Sequence, residues 1–519
     1  MNSFILPCFH FFAGYIYGKM LLLGIDIGTS SVKASVVDAA SGVPVCSAQY
    51  PETEADIISI HPGWAEQSPD MWWEHVKQAV LKCNAAGSYD PKDIGAIGIA
   101  YQMHGLVMVD SQEHVLRNSI IWCDSRAVAQ GDKAFREIGE EKCLQQLLNS
   151  PGNFTASKLA WVKENEPELY ARIDKIMLPG DFIAMKFTGQ LTTTASAMSE
   201  GIFWDFQSNE ISAEVCSYFG FGKYMFPDIH PVFSIHGYLK DTVAARLGLS
   251  RGIPVAYKAG DQPNNALALN VLQPGEVAAT AGTSGVVYAV GSELGYDKAS
   301  RVNSFAHVNH RSDQHRIGVL LCINGCGITN RWIRNIAGGP MSYHQMNEAA
   351  AGISPGADGL QIIPFGNGAE RMLGNQVTGA GIMNMDYNLH GPAHLFRAAQ
   401  ESIAYAFRYG MDIMKENNIF PSVVRAAQTN MFLSPVFTSS FVNATGIPVE
   451  LYEGDGSVGA ALGAGIGAGI YGSPEQAFAG RRPLMTIEPD QEKEYDRLYL
   501  KWKENLLNTI TKKNELCQF

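Results

Sequence analysis

Two Gly-Thr-Ser turns, Gly28–Ser30 and Gly282–Ser284, stand 254 residues apart in a chain of 519. The first lies in LLLGIDIGTSSVKASVVD and the second in GEVAATAGTSGVVYAVGS. Each separates two apolar runs, the pattern of a tight β-hairpin whose tip carries glycine and small hydroxyls instead of bulky side chains. Such a tip exposes backbone N–H groups and short hydroxyl donors, which suits a phosphate chain. One copy is an ordinary hairpin. Two copies half a chain apart point to a duplicated architecture with a polyphosphate between the halves.

The surrounding pattern is also used twice. After Met20, the runs LLLGIDI, VKASVVD and VPVCSAQY read as an antiparallel meander. Ser68-Pro69-Asp70 is a helix start, with a capping serine and proline at the first helical position. Trp72, Val76, Val80 and Cys83 follow at helical spacing. Residues 94–103, IGAIGIAYQM, form a continuous apolar run, as a strand buried on both faces requires. The order restarts with IPVAYKAG, a strand ending at Asp261 and followed by an expected Pro-Asn-Asn turn. The second hairpin comes next, then helical patterns over about 320–350 and 391–417. The Gly/Ala run GDGSVGAALGAGIGAG brings backbone very close either to a sheet or to a nucleotide. Tyr495, Leu498, Trp502, Leu506 and Ile510 share one face of a terminal helix. The expectation is an α/β chain of two lobes with a cleft between them, residues 20–262 and 263–519.

Net charge is −12 without a basic block, which argues against nucleic acid and anionic membranes as partners. Phosphate remains compatible with that charge, because backbone donors and a metal ion can hold it. The nine cysteines form no CxxC pair and read as reduced thiols of a cytoplasmic protein. Residues 1–19 lack the basic start and cleavage site of a signal peptide and read as a dispensable extension. No apolar run elsewhere reaches membrane length.

Asp26 interrupts an apolar strand two positions before the first turn. A carboxylate beside a phosphate cradle makes sense with Mg²⁺ between them. Asp261, at the start of the second lobe, is either a turn cap or a general base that takes a hydroxyl proton during phosphoryl transfer. His104, with Trp122, Asp124 and Arg126 in IIWCDSR, places donors, acceptors and a ring face at two successive strand ends, a set suited to a polyhydroxylated ligand.

DIGTSSVK, QMHG, WCDSR, the GD at Asp261, AGTSG and GDGSVGAALGAG, taken in order over residues 21–510, resemble the FGGY carbohydrate kinases. QMHG and HPGWAEQSPDMWW are similar to the xylulokinase branch. The resemblance implies two ribonuclease-H-like domains of the actin/Hsp70 ATPase type and ATP-dependent conversion of D-xylulose to D-xylulose 5-phosphate. Asp261 would be the base, and Gln102, Met103, His104, Trp122, Asp124, Arg126, Asp261 and Gln262 would surround the sugar. Asp26 would hold Mg²⁺. Gly28, Thr29, Ser30, Lys33, Gly282, Thr283, Ser284, Asn430 and Ser434 would hold ATP. Two stretches depart from the branch pattern. Thr429–Ser434 reads TNMFLS where a GGGARS-like loop is usual, and GDQPNNA is similar to the glycerol kinase branch. A kinase for ribulose or glycerol, or a sugar- or nucleotide-binding regulator without turnover, is the alternative. A homodimer is one compatible assembly.

Overall fold

Leu21–Ile27 (β1) and Val32–Asp38 (β2) pair antiparallel across the first Gly-Thr-Ser turn, and Pro44–Tyr50 (β3) extends the meander. The apolar LLLGIDI run is buried along nearly its whole length, as a central strand requires. The computed structural model describes residues 20–516, so the expected N-terminal extension, residues 1–19, lies outside the described residues. Ile94–Tyr101 (β4), Phe233–Tyr238 (β5) and Pro254–Gly260 (β6) complete a first sheet of order β5–β6–β4–β1–β2–β3. The pairs β1–β4 and β4–β6 are parallel.

Pro69–Ala85 (α1) starts where the capping signal stands: the Ser68 hydroxyl accepts from the Met71 N–H at 3.3 Å, and Pro69 is the first helical residue. Thr155–Asn165 (α2) and Ala195–Glu200 (α3) lie in the long stretch between β4 and β5. Asp261–Ala268 (α4) replaces the expected Pro-Asn-Asn turn. Pro263 falls in the first turn of α4, where its missing N–H breaks no helical bond.

The second sheet is built from Glu276–Ala281 (β7), Gly285–Gly291 (β8), Asn303–Ala306 (β9), Ile317–Ile323 (β10), Val423–Ala427 (β11), Val449–Tyr452 (β12) and Met485–Ile487 (β13). Its order is β9–β10–β8–β7–β11–β12–β13. Three antiparallel strands followed by parallel ones recur, with β3–β2–β1–β4–β6 matched by β10–β8–β7–β11–β12. The two Gly-Thr-Ser turns are therefore topologically equivalent. The helical pattern expected from about 320 begins later, because residues 317–323 form β10 and the helix Gly327–Ile333 (α5) starts after it. Pro392–Glu416 (α6) lies where its pattern predicts.

The Gly/Ala run forms Gly456–Gly467 (α7), and this helix returns to pack on β1, β4 and β6 of the first sheet. Gly24 and Gly98 are partners in the β1–β4 ladder. A Cβ at Gly24 would lie 1.8 Å from the Ser457 carbonyl oxygen, and one at Gly98 would lie 1.9 Å from that of Ala460. The two glycines let helix backbone rest directly on strand backbone. The last helix, Glu492–Leu516 (α8), buries Tyr495, Trp502 and Leu506 completely, with Leu498 and Ile510 half-buried on the same face.

Candidate active site

Because β1, β4 and β6 are adjacent and parallel, their carboxyl ends converge on one edge of the sheet, where ligands of α/β folds collect. Asp26 on β1, the Gln102–His104 turn after β4 and Asp261 after β6 are brought together by that topology alone. Burial first, and the charge of Asp26 second, push the Asp261 carboxyl up to about 7, against hydrogen bonds from the Gln262 backbone and side chain. Gln262 is therefore engaged with the Asp261 carboxylate. Asp26 is pushed up to about 6 by burial and by Asp455, while its cross-strand partner Lys33 opposes the shift. A Cβ at Gly456 would lie 2.3 Å from Asp26 Oδ2, so the first turn of α7 touches this carboxylate. Asp455 and Lys33 thus act on Asp26 in opposite directions.

On the other side of Asp261, His104 takes a left-handed backbone conformation with φ 62°. Its Nδ1 lies 2.9 Å from the Glu200 carbonyl oxygen, so Nδ1–H donates and Nε2 is left as an acceptor. Burial, with Lys158 as the next cause, pushes the imidazole down to about 3 and keeps it neutral. Phe154 and Phe305 flank the ring at 4.8 and 5.5 Å. The fully buried Lys158 ammonium donates to the carbonyls of His104 at 2.9 Å and Ile121 at 3.0 Å, tying the QMHG turn to the WCDSR turn.

The neighbouring expectations divide. Met103 packs over Gly260, and Trp122 is 53% exposed. The Trp122 indole donates to the Thr29 hydroxyl at 2.9 Å, and that hydroxyl donates to Gln102 at 3.1 Å. The Thr29 hydroxyl, expected to hold phosphate, is thus engaged within the protein. Gln102 in turn donates to Gln67, and its side chain is buried. Ser30 is exposed at the turn tip. Asp124 and Arg126 were expected against the ligand, and their side chains are buried, 0% and 1% exposed. Asp124 accepts from Arg126 and from the Ala65 N–H, and Arg126 also pairs with Glu66 and lies 3.7 Å from the Trp64 ring centre. Their charges saturate each other, so they brace the Trp122 turn.

In the second lobe, a cavity of about 370 Å³ gathers Gly282, Thr283, Asn330, Asn430, Met431 and Ser434. The turn is anchored from outside: Gly327 N–H donates to the Gly282 carbonyl at 2.9 Å, and Ile328 N–H to that of Thr283 at 3.1 Å. Ser284, the last residue of the turn, is half-buried. Asn430 adopts φ 52°, a left-handed conformation, so asparagine here does what the expected glycine would do. The Ser434 hydroxyl is engaged with Gln400 at 2.6 Å and caps the next helix, so it reaches the cavity only as wall. A roomier cavity of about 730 Å³, lined by Thr188, His230, His236 and Tyr238, shares none of these residues.

Residues 21–268 match the FGGY family of carbohydrate kinases, N-terminal domain, and residues 277–470 match the C-terminal domain of the same family. The chain belongs to the FGGY family of carbohydrate kinases. It is 29% identical over 469 residues to a xylulose kinase of Escherichia coli (strain K12), covering 90% of this chain and 93% of that one. A xylulose kinase of Bacillus subtilis (strain 168) is 27% identical over 465 residues, 88% and 90% of the two chains. The crystal structure of xylulose kinase from Rhodospirillum rubrum superposes with a TM-score of 0.84 at 25% identity, covering 94% of this chain and 98% of that one. The fold of this FGGY kinase is the two-domain actin/Hsp70-type ATPase fold.

Several residues around these strand ends had no local signal. Glu370 is buried and accepts from the Asn324 and Gly325 N–H groups at 3.1 and 3.0 Å, shaping the loop that leads into α5. Arg371 next to it donates to Asn303 at 2.6 Å. Glu200 carried one available hint, as the only charged residue between Lys186 and Asp205.

Proposed function

We propose that this FGGY kinase transfers the γ-phosphoryl group of ATP to D-xylulose, with Asp261 as general base, giving D-xylulose 5-phosphate and ADP. The observation that carries the reading is Asp261 at the shared strand edge with a carboxyl pushed up to about 7, beside a neutral His104 with a free acceptor nitrogen. A carboxylate of that basicity can take the hydroxyl proton as the new oxygen–phosphorus bond forms and the bond to ADP breaks. The likeness to xylulose kinases over nine-tenths of the chain supports D-xylulose over ribulose or glycerol. Turnover is favoured over a binding-only role because Asp26, Asp261 and both turns are all in place.

The lobes divide near residue 262, the first for sugar and the second for nucleotide, except that α7 serves the first sheet. ATP would lie with its adenosine in the Asn430 cavity and its phosphates against the backbone of both turns, near Lys33. The donor set fits Mg²⁺. The carboxylates at Asp26 carry excess negative charge, and among the described residues no cluster of three or more His, Cys, Asp or Glu forms a closed cage. Mg²⁺ bound by one or two carboxylates together with phosphate oxygens needs no cage. Asp26 would hold the ion, whose charge would offset that of the phosphates. No described helix is long and apolar enough to cross a membrane, and a cytoplasmic location and a homodimer remain parts of this proposal.

A coupled ADP-release assay over D-xylulose, D- and L-ribulose and glycerol tests the substrate; a higher kcat/KM for any of the others would reject D-xylulose. His104→Ala should raise KM for the ketose at least about tenfold and leave that for ATP within about twofold, since only a binding contact is removed. Equal changes would make His104 structural. The base must be deprotonated, so kcat/KM should rise about tenfold per pH unit below about 7 and level off above it. A flat profile between about pH 5 and 8 would count against Asp261.

A further inference from the structure

Glu200 closes α3 in a stretch with no other charged residue between Lys186 and Asp205, and it is only 2% exposed. Its Oε1 accepts from the Tyr101 hydroxyl at 2.7 Å. Its Oε2 is fully buried without a hydrogen-bond partner and lies 3.8 Å from His104 Nδ1. A Cβ at Gly260 would come 3.0 Å from that oxygen and 2.7 Å from Met103 Cγ, so Glu200 and Met103 fill the space above the residue preceding Asp261. The Glu200 carbonyl takes the Nδ1–H of His104. One residue thus touches the ends of β4 and β6 and the histidine.

Helix α3 is also fixed to the other lobe. Ser196 Oγ donates to the Ala306 carbonyl at 2.7 Å, and Ser199 Oγ accepts from the Ala306 N–H at 2.9 Å. We propose that Glu200 is a positioning residue for the phosphoryl acceptor, holding His104 Nε2 and the Asp261 carboxylate in one fixed relation so that the sugar meets both at once.

This inference rests on the proposed sugar kinase activity. Burial first raises the Glu200 carboxyl well above its ordinary range, with the Tyr101 hydrogen bond opposing and the charges of Asp261 and Asp181 adding to the rise. Glutamine keeps the shape of this side chain and an oxygen that accepts from the Tyr101 hydroxyl, and alanine keeps neither. Alanine leaves the Tyr101 hydroxyl without its acceptor and opens space above Gly260, which frees His104 and Asp261 to move separately.

The test is steady-state kinetics of Glu200→Gln, Glu200→Ala and Tyr101→Phe with MgATP and the ketose that the wild-type enzyme phosphorylates best. Glu200→Ala should raise the ketose KM at least about tenfold with the ATP KM within about twofold, and Glu200→Gln should recover to within about threefold of wild type. Tyr101→Phe should fall between them. A Glu200→Ala enzyme with wild-type ketose KM, equal rises for both substrates, or a glutamine variant as impaired as alanine would overturn the proposal. If the alanine variant does not fold, Tyr101→Phe decides through the same ratio of the two KM values. Failure of the substrate reading shows in the wild-type enzyme, whereas failure of the Glu200 reading shows only in these variant ratios.

Discussion

Asp261→Asn is expected to lower kcat by about 10²–10⁴-fold, the usual contribution of a positioned general base, while the ketose still binds. Asparagine keeps the shape and a hydrogen-bonding group at the head of α4 but cannot take a proton. Unfolding can be separated from loss of the base by the sign of the pKa shift. The carboxyl is raised from 3.8 to about 7, so between those values the folded protein holds more protons than the unfolded chain. Its effect on stability is therefore unfavourable as pH rises through that window and complete above about 7. The neutral variant should be at least as stable as wild type at pH 8. Equilibrium unfolding and single-turnover sugar phosphate formation check the two halves; near-wild-type turnover would remove Asp261 from the base role.

Gly24→Ala is expected to be strongly destabilising. The new methyl carbon would lie 1.8 Å from the Ser457 carbonyl oxygen and 2.5 Å from the Ala461 nitrogen, both backbone atoms of α7. No side-chain rotation relieves such a clash, so the helix must lift off β1 at a cost of about 3 kcal/mol, the upper end for overpacking a core. Lifting α7 also draws Gly456 away from Asp26, so kcat should fall with stability. Denaturant midpoints and kcat measured on the same preparation test both. A variant with an unchanged midpoint would mean that α7 does not rest on the sheet as described.

The hairpins, the buried strand at 94–101, the serine-capped helix at 69 and the amphipathic terminal helix were legible because each depends on neighbours a few residues away. Asp26, His104 and Asp261 were legible as candidates because each stands where an apolar strand run stops. Asp124 and Arg126 could not be placed from the sequence for a related reason. A charged pair after a strand has the same pattern whether it faces a ligand or folds back on itself, and only the Glu66 and Trp64 contacts decide. The Thr429–Ser434 stretch, short of glycine, gave no hint that Asn430 would take a left-handed conformation.

The paired Gly-Thr-Ser turns and the periodicities around them determined that the chain would build a duplicated α/β fold with carboxylates at its strand ends, because turns and strands follow local stereochemistry. Only the tertiary structure decided that the Gly/Ala helix returns to the first sheet, where Ser457 meets Ser35 at 2.8 Å across 422 residues. It also decided that the Thr29 hydroxyl turns toward Gln102, and that Glu200 lies buried between Tyr101 and His104. Such contacts depend on which surfaces are left to be buried once the sheets have formed, and a local pattern carries no record of that.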